Sequence, residues 1–158
     1  EHRLNTIHSA FSLPLDEIHL MTLPPRHCHR LFEGYKHEEE MDFLMKQLIN
    51  LNQNRLYIIG SNQMGTMISL PSKEKNTFYQ SVFLIDEEGS DLIDGGDYLC
   101  VTYRGNYEQS AYWGQQLAQY AHAHKFKIRG DLLEILWIDI HTTSDESEYI
   151  TQLQLPIA

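Results

Sequence analysis

Leu132-Leu133-Glu134-Ile135-Leu136-Trp137-Ile138-Asp139-Ile140 is the stretch on which the reading of this chain turns. In a β-strand successive side chains alternate between the two faces. Leu132, Glu134, Leu136, Ile138 and Ile140 therefore share one side, and Leu133, Ile135, Trp137 and Asp139 the other. Both sides are apolar, so the strand belongs in the middle of a sheet covered on both faces, with Glu134 set among leucines and isoleucines. An unpaired buried carboxylate is costly enough to call for a reason. Two readings stand. Either Glu134 leans into solvent near the strand's start or pairs with Lys127 or Arg129, or it is a buried anion that awaits a ligand cation or works as an acid or base. Asp139 is the weaker candidate, because the polar residues from His141 onward mark the strand's emergence into solvent.

The next segment, Tyr149 to Ile157, places Tyr149, Thr151, Leu153, Leu155 and Ile157 on one face and Gln152 and Gln154 on the other. An antiparallel pairing of the two strands brings Tyr149 near Glu134. A ring beside a buried carboxylate suits a lipophilic cation, the ring face adding roughly 0.5 to 2 kcal/mol. The alternative is a core tyrosine whose hydroxyl finds a backbone partner.

Upstream lie a strand from Tyr98 to Tyr103 and a helix from about Glu108 to His124, with Trp113, Leu117, Tyr120, Ala121 and His124 along one stripe. The first half reads similarly. Cys28 to Tyr35 is extended, and a helix opens on Glu38-Glu39-Glu40 and carries Met41, Leu44, Met45, Leu48 and Leu51 at one-face spacing. Leu56 to Gly60, Thr66 to Leu70 and Phe78 to Asp86 read as strands, with a polar loop at Pro71 to Thr77 and turns at Glu87-Glu88-Gly89-Ser90 and Gly95-Gly96. The order predicts an α+β fold of two βαββ units in pseudo-twofold relation. Their strands form an antiparallel sheet with the helices on one face and a ligand groove on the other. Residues 17–158 make this domain, and residues 1–16 read as the end of an upstream linker or helix.

The length of 158 residues suits one domain, and 42% hydrophobic against 22% charged residues suits a packed interior. Twelve Lys and Arg against 22 Asp and Glu leave a net charge of −10, which repels phosphates. Direct nucleic-acid binding and docking on anionic lipid are thereby disfavoured, and positively charged small molecules attracted. Cys28 and Cys100 match no CxxC pattern and fit a reducing cytoplasm. No apolar run approaches the roughly 18 residues that span a bilayer. His122 and His124 point about 200° apart on a helix and cannot share an ion, and no carboxylate or cysteine completes a set with His27 and His29. No metal or cofactor is expected. Gly60 to Gly65 has no lysine of a phosphate loop, and no serine sits in a GxSxG elbow.

Taken together, Gly96-Asp97-Tyr98-Leu99-Cys100-Val101-Thr102-Tyr103, the helix ending Leu117-Ala118-Gln119-Tyr120, Leu133 to His141 and Glu148 to Ile157 resemble one known family. It is the C-terminal effector-binding domain of MerR-family multidrug regulators of the BmrR type, within the gyrase-inhibitor-like (GyrI-like) superfamily. The resemblance implies paired βαββ units around an aromatic pocket with a buried glutamate that binds large, flat lipophilic cations. By match, Glu134 takes the glutamate's position, Tyr149 that of a pocket tyrosine and Leu136 that of an aliphatic pocket residue. The family's helix tyrosine falls on Ser110, with Tyr112 and Tyr107 close by. Tyr57 and Tyr35 are the first-half candidates, and Trp137 completes the set of candidate ligand-binding side chains. The implied function is that of a ligand sensor, not an enzyme, in a cytoplasmic transcription regulator. It would reach promoter DNA only through an N-terminal helix-turn-helix domain absent from these residues, and would act as a homodimer in full length. The alternatives are a GyrI-like hydrolase with Glu134 as general base, and a stand-alone gyrase-inhibitor-like protein.

Overall fold

A computed structural model of the protein describes residues 14–35, 63–68, 79–106, 108–138 and 145–158. The helix expected after Glu38, the strand expected at Leu56 to Gly60, the loop at Pro71 to Thr77 and Asp139 lie outside these residues, as do Tyr57 and Tyr107.

The described strands are β1 (His19–Leu23), β2 (Arg26–Tyr35), β3 (Met64–Ile68), β4 (Tyr79–Ile85), β5 (Asp91–Ile93), β6 (Gly96–Arg104), β7 (Leu132–Ile138) and β8 (Ile150–Pro156). Helix α1 (Gln109–Ala123) connects β6 to β7, and a single 3-10 turn, Glu146–Glu148, precedes β8. The strands form one antiparallel sheet in the order β1-β6-β8-β7-β3-β4-β2-β5. Exchanging β1 with β5, β6 with β2, β8 with β4 and β7 with β3 reverses this order onto itself, which is the expected pseudo-twofold relation. Register obeys it too: His19 faces Cys100 at one end of the sheet and Cys28 faces Asp91 at the other. Each half lends its leading strand to the other, since β1 precedes β2 but pairs with β6, and β5 precedes β6 but pairs with β2. The sequence reading misses β1 and also β5, which is too short for an alternating pattern, and starts β3 two residues late.

One face of the sheet carries Val82, Leu99, Val101, Leu132, Leu136, Leu153 and Leu155, packed with Leu117 and Ala121 of α1. The opposite face carries Cys28, Phe83, Tyr98, Cys100, Leu133 and Ile135, also buried. The sheet is strongly curled. Arg26 of β2 donates to Gln154 Oε1 of β8 at 2.8 Å and lies 5.5 Å from the Tyr98 ring of β6, although four strands separate β2 from β6 in the sheet order. This curl encloses the face away from the helix, where the sequence reading leaves a groove. Strand alternation assigns residues to faces but carries no information on curvature. No helix among the described residues is long and apolar enough to cross a membrane.

Both cysteines are free and buried in that interior. Burial pushes the Cys28 thiol up to about 11, against the opposing pull of Arg30, and the Cys100 thiol up to about 12. The thiolate is the reactive species, so iodoacetamide at pH 8 is expected to spare both residues in the folded protein and label both in urea. The raised values favour the folded state while the thiols are protonated. That contribution is present below pH 9 and is lost as pH rises toward 11 and 12. Rapid labelling of the native protein at pH 8 would show that the interior opens.

Candidate functional site

Helix α1 buries Ser110, Gly114, Leu117 and Ala121, a stripe at one-face spacing, with Trp113 and Tyr120 at its margins. Two of the four are small where the helix meets β7. A Cβ on Gly114 would stand 3.2 Å from Leu132 Cδ2, so glycine lets the helix lie close to the strand. Ser110, one turn earlier on the same stripe, then reaches the next inward residue of β7, which is Glu134.

Glu134 is fully buried, with 0% of its surface exposed. It does not lean into solvent. Its row across the sheet runs Val101, Leu153, Glu134, Thr66, Val82, from β6 through β8, β7 and β3 to β4. Thr66 donates its hydroxyl to Glu134 Oε1 at 2.9 Å, and Ser110 donates to Oε2. Tyr103 meets the Ser110 oxygen at 2.6 Å. A serine hydroxyl has one proton; with that proton on Glu134, the tyrosine is the donor. The result is a directed chain, Tyr103 to Ser110 to Glu134, closed from the other side by Thr66. Arg129, one of the cations considered for Glu134, is engaged elsewhere. Its Nε donates to Ile157 O at 3.0 Å, and its guanidinium lies 4.9 Å from the Tyr98 ring.

Leu136 neighbours Glu134 on the helix-side face of β7, and Tyr149 belongs to the same helix-side core but lies toward the Ile138 end of the strand pair, four residues along from Leu153, which faces Glu134. The structure separates Trp137 from them: that side chain packs on the opposite face against the interior cluster. Tyr112 is 57% exposed and stands edge-on to Trp113, with ring centroids 5.0 Å apart. Neither Trp137 nor Tyr112 adjoins Glu134 in this arrangement, because strand alternation and the helical turn aim them elsewhere. Two members of this network go unnoticed in the sequence, Thr66, which bonds Glu134 directly, and Tyr103, which reaches it through Ser110. A signal exists for the first, the one hydroxyl within Met64-Gly65-Thr66-Met67-Ile68. Chemically, the site can neutralise a cation or accept a proton inside an aromatic and aliphatic shell. Among the described residues no group of three or more His, Cys, Asp or Glu is placed to hold a metal ion.

No family model matches the chain, and no curated protein matches it in sequence. Solved structures match its shape. The C-terminal domain of EcmrR superposes with a TM-score of 0.65 at 14% identity, over 90% of this chain and 97% of that one. EcmrR in complex with DNA superposes at 0.70 and 11% identity, over 99% of this chain and 65% of that one. The chain has the GyrI-like fold. Other proteins that share this fold are a hydrolase from Listeria innocua, with TM-score 0.56 and 12% identity over 96% of each chain, and SAV2435 bound to tetraphenylphosphonium. The latter superposes at 0.53 and 14% identity, over 90% of this chain and 94% of that one. Within the GyrI-like fold, Glu134 and its hydroxyl donors lie between the sheet and the first turn of α1.

Proposed function

We propose that this GyrI-like domain is the ligand-sensing part of a MerR-family transcription regulator and that it binds lipophilic aromatic cations. The observation that carries the reading is the fully buried Glu134 carboxylate under the start of α1, with Tyr103 and Tyr149 in the same core. Tetraphenylphosphonium on a protein of the same fold supports the ligand class, and the EcmrR–DNA complex supports the regulatory setting. A chain of net charge −10 is a poor match for DNA phosphates, so promoter contact belongs to a separate helix-turn-helix domain. A cation entering beside Glu134 exchanges the hydroxyl shell of Thr66 and Ser110 for a direct ion pair and ring contacts. Reaching it requires the Ser110 end of α1 to move, which breaks the bonds from Glu108 N to Asn106 Oδ1 and from Gln109 Nε2 to Arg104 O that hold the helix start. Binding that favours the displaced arrangement shifts the population toward it, which is the signal a regulator passes on.

Titration calorimetry with tetraphenylphosphonium tests the reading. The wild type is expected to bind, and Glu134→Gln to bind at least tenfold more weakly, more than 1.4 kcal/mol. Equal affinities would remove Glu134 from the role. The hydrolase of the same fold, with the Tyr103–Ser110–Glu134 chain able to orient a proton acceptor, favours a second reading: hydrolysis of a reactive small molecule with Glu134 as general base. Turnover of an electrophilic substrate that Glu134→Gln abolishes would select it over the sensor.

A further inference from the structure

Arg26 lies on the inner face of the curled sheet, away from Glu134. Its Nη1 donates to Gln154 Oε1 at 2.8 Å, Gln154 Nε2 donates to Gln152 Oε1 at 2.7 Å, and Gln152 Nε2 to Thr102 Oγ1 at 3.3 Å. The guanidinium also faces the Tyr98 ring. These contacts fix its orientation and use one edge. Nε and Nη2 form the other edge, the parallel pair of N–H groups that grips a carboxylate through two bonds. Both atoms are buried and meet no hydrogen-bond acceptor among the described residues. Arg129, which faces the same ring, provides the contrast. Its Nε and Nη2 edge is filled by the carbonyls of Ile157, Asp97 and Gly95. A guanidinium that keeps its fork buried and unfilled while its other edge is tied down is expensive as a structural device, because each unmet donor forfeits its hydration. Ser81 Oγ and Trp137 Nε1 are further buried donors that meet no acceptor among the described residues, and both belong to strands that line this interior.

We propose that Arg26 anchors a second ligand site inside the sheet, one that takes a small carboxylate with an apolar body. The carboxylate meets the Nε and Nη2 fork. The apolar body meets Leu133, opposite Gln154 in the neighbouring strand, and Ile93, opposite Arg26. A monoanion fits better than dianionic phosphate, because Asp91 stands opposite Cys28 near Arg26 and the chain as a whole is acidic. This site is separate from that of Glu134, which lies on the opposite face, and does not depend on the sensor reading.

The test uses the folded wild-type chain, labelled with nitrogen-15 and titrated with sodium benzoate against sodium chloride at matched ionic strength. The Arg26 Nε–H resonance is expected to shift saturably with benzoate and not with chloride. Arg26→Lys keeps the charge without the fork and is expected to weaken benzoate binding at least tenfold, as is Arg26→Gln, while Glu134→Gln leaves it unchanged. Absence of a saturable shift in the wild type overturns the site without reference to any variant. Undiminished binding by Arg26→Lys overturns the fork, and an equal or stronger response to inorganic phosphate overturns the carboxylate preference.

Discussion

Gly65→Ala is expected to destabilise the protein by about 3 kcal/mol, at the upper end of what overpacking a core costs. Gly65 sits in β3 between Phe83 of β4 and Ile135 of β7. A Cβ there would stand 2.5 Å from Phe83 Cζ and 2.6 Å from the Glu134 carbonyl oxygen. The ring could be displaced, at the cost of its fully buried packing; the carbonyl belongs to the sheet backbone and cannot yield without shifting β7. Urea unfolding of wild type and variant measures the difference. Adding Phe83→Leu should recover part of the loss, because it removes the ring but leaves the carbonyl. A Gly65→Ala protein of wild-type stability would mean that Phe83 does not cross the strand there. Since β7 also carries Glu134, the substitution is expected to weaken cation binding as well.

Thr66→Val and Ser110→Ala are each expected to cost about 1 to 3 kcal/mol, the range for leaving a buried acceptor without its donor. In a Glu134→Leu background both costs should fall below about 0.5 kcal/mol, since the hydroxyls then have no carboxylate to serve. Glu134→Leu alone is expected to leave the protein folded and to abolish binding of tetraphenylphosphonium. The double-mutant cycle separates a carboxylate held for function from one held for packing. Unchanged costs in the Glu134→Leu background would show that Thr66 and Ser110 act on something other than Glu134.

Strand alternation alone predicts a carboxylate in an apolar setting at position 134, and Glu134 is fully buried. The α1 stripe through Leu117 and Ala121 is legible for the same reason, a period of side chains that local geometry imposes. What local geometry cannot carry is long-range. Alternation places Glu134 and Trp137 on opposite faces without saying which face the helix covers, so Trp137 enters the candidate set and is found against the interior. Thr66 is 68 residues from its carboxylate and meets it only through the β3–β7 pairing at the centre of the pseudo-twofold. Ser110 is reached by resemblance as the place of a tyrosine, and its actual role, a hydroxyl on Glu134, follows from the approach that Gly114 permits. The curl that encloses Arg26 depends on both ends of the sheet at once, and no window of sequence contains both.

The exchange of leading strands makes the two halves an interlocked pair. A cut in the polypeptide between β4 and β5 would leave two pieces, each holding a strand that the other needs to complete its end of the sheet. Neither piece is expected to be stable alone, and the two should reassemble when mixed. The same exchange can run between molecules. Two chains refolding at high concentration can trade halves through contacts identical to those within one chain.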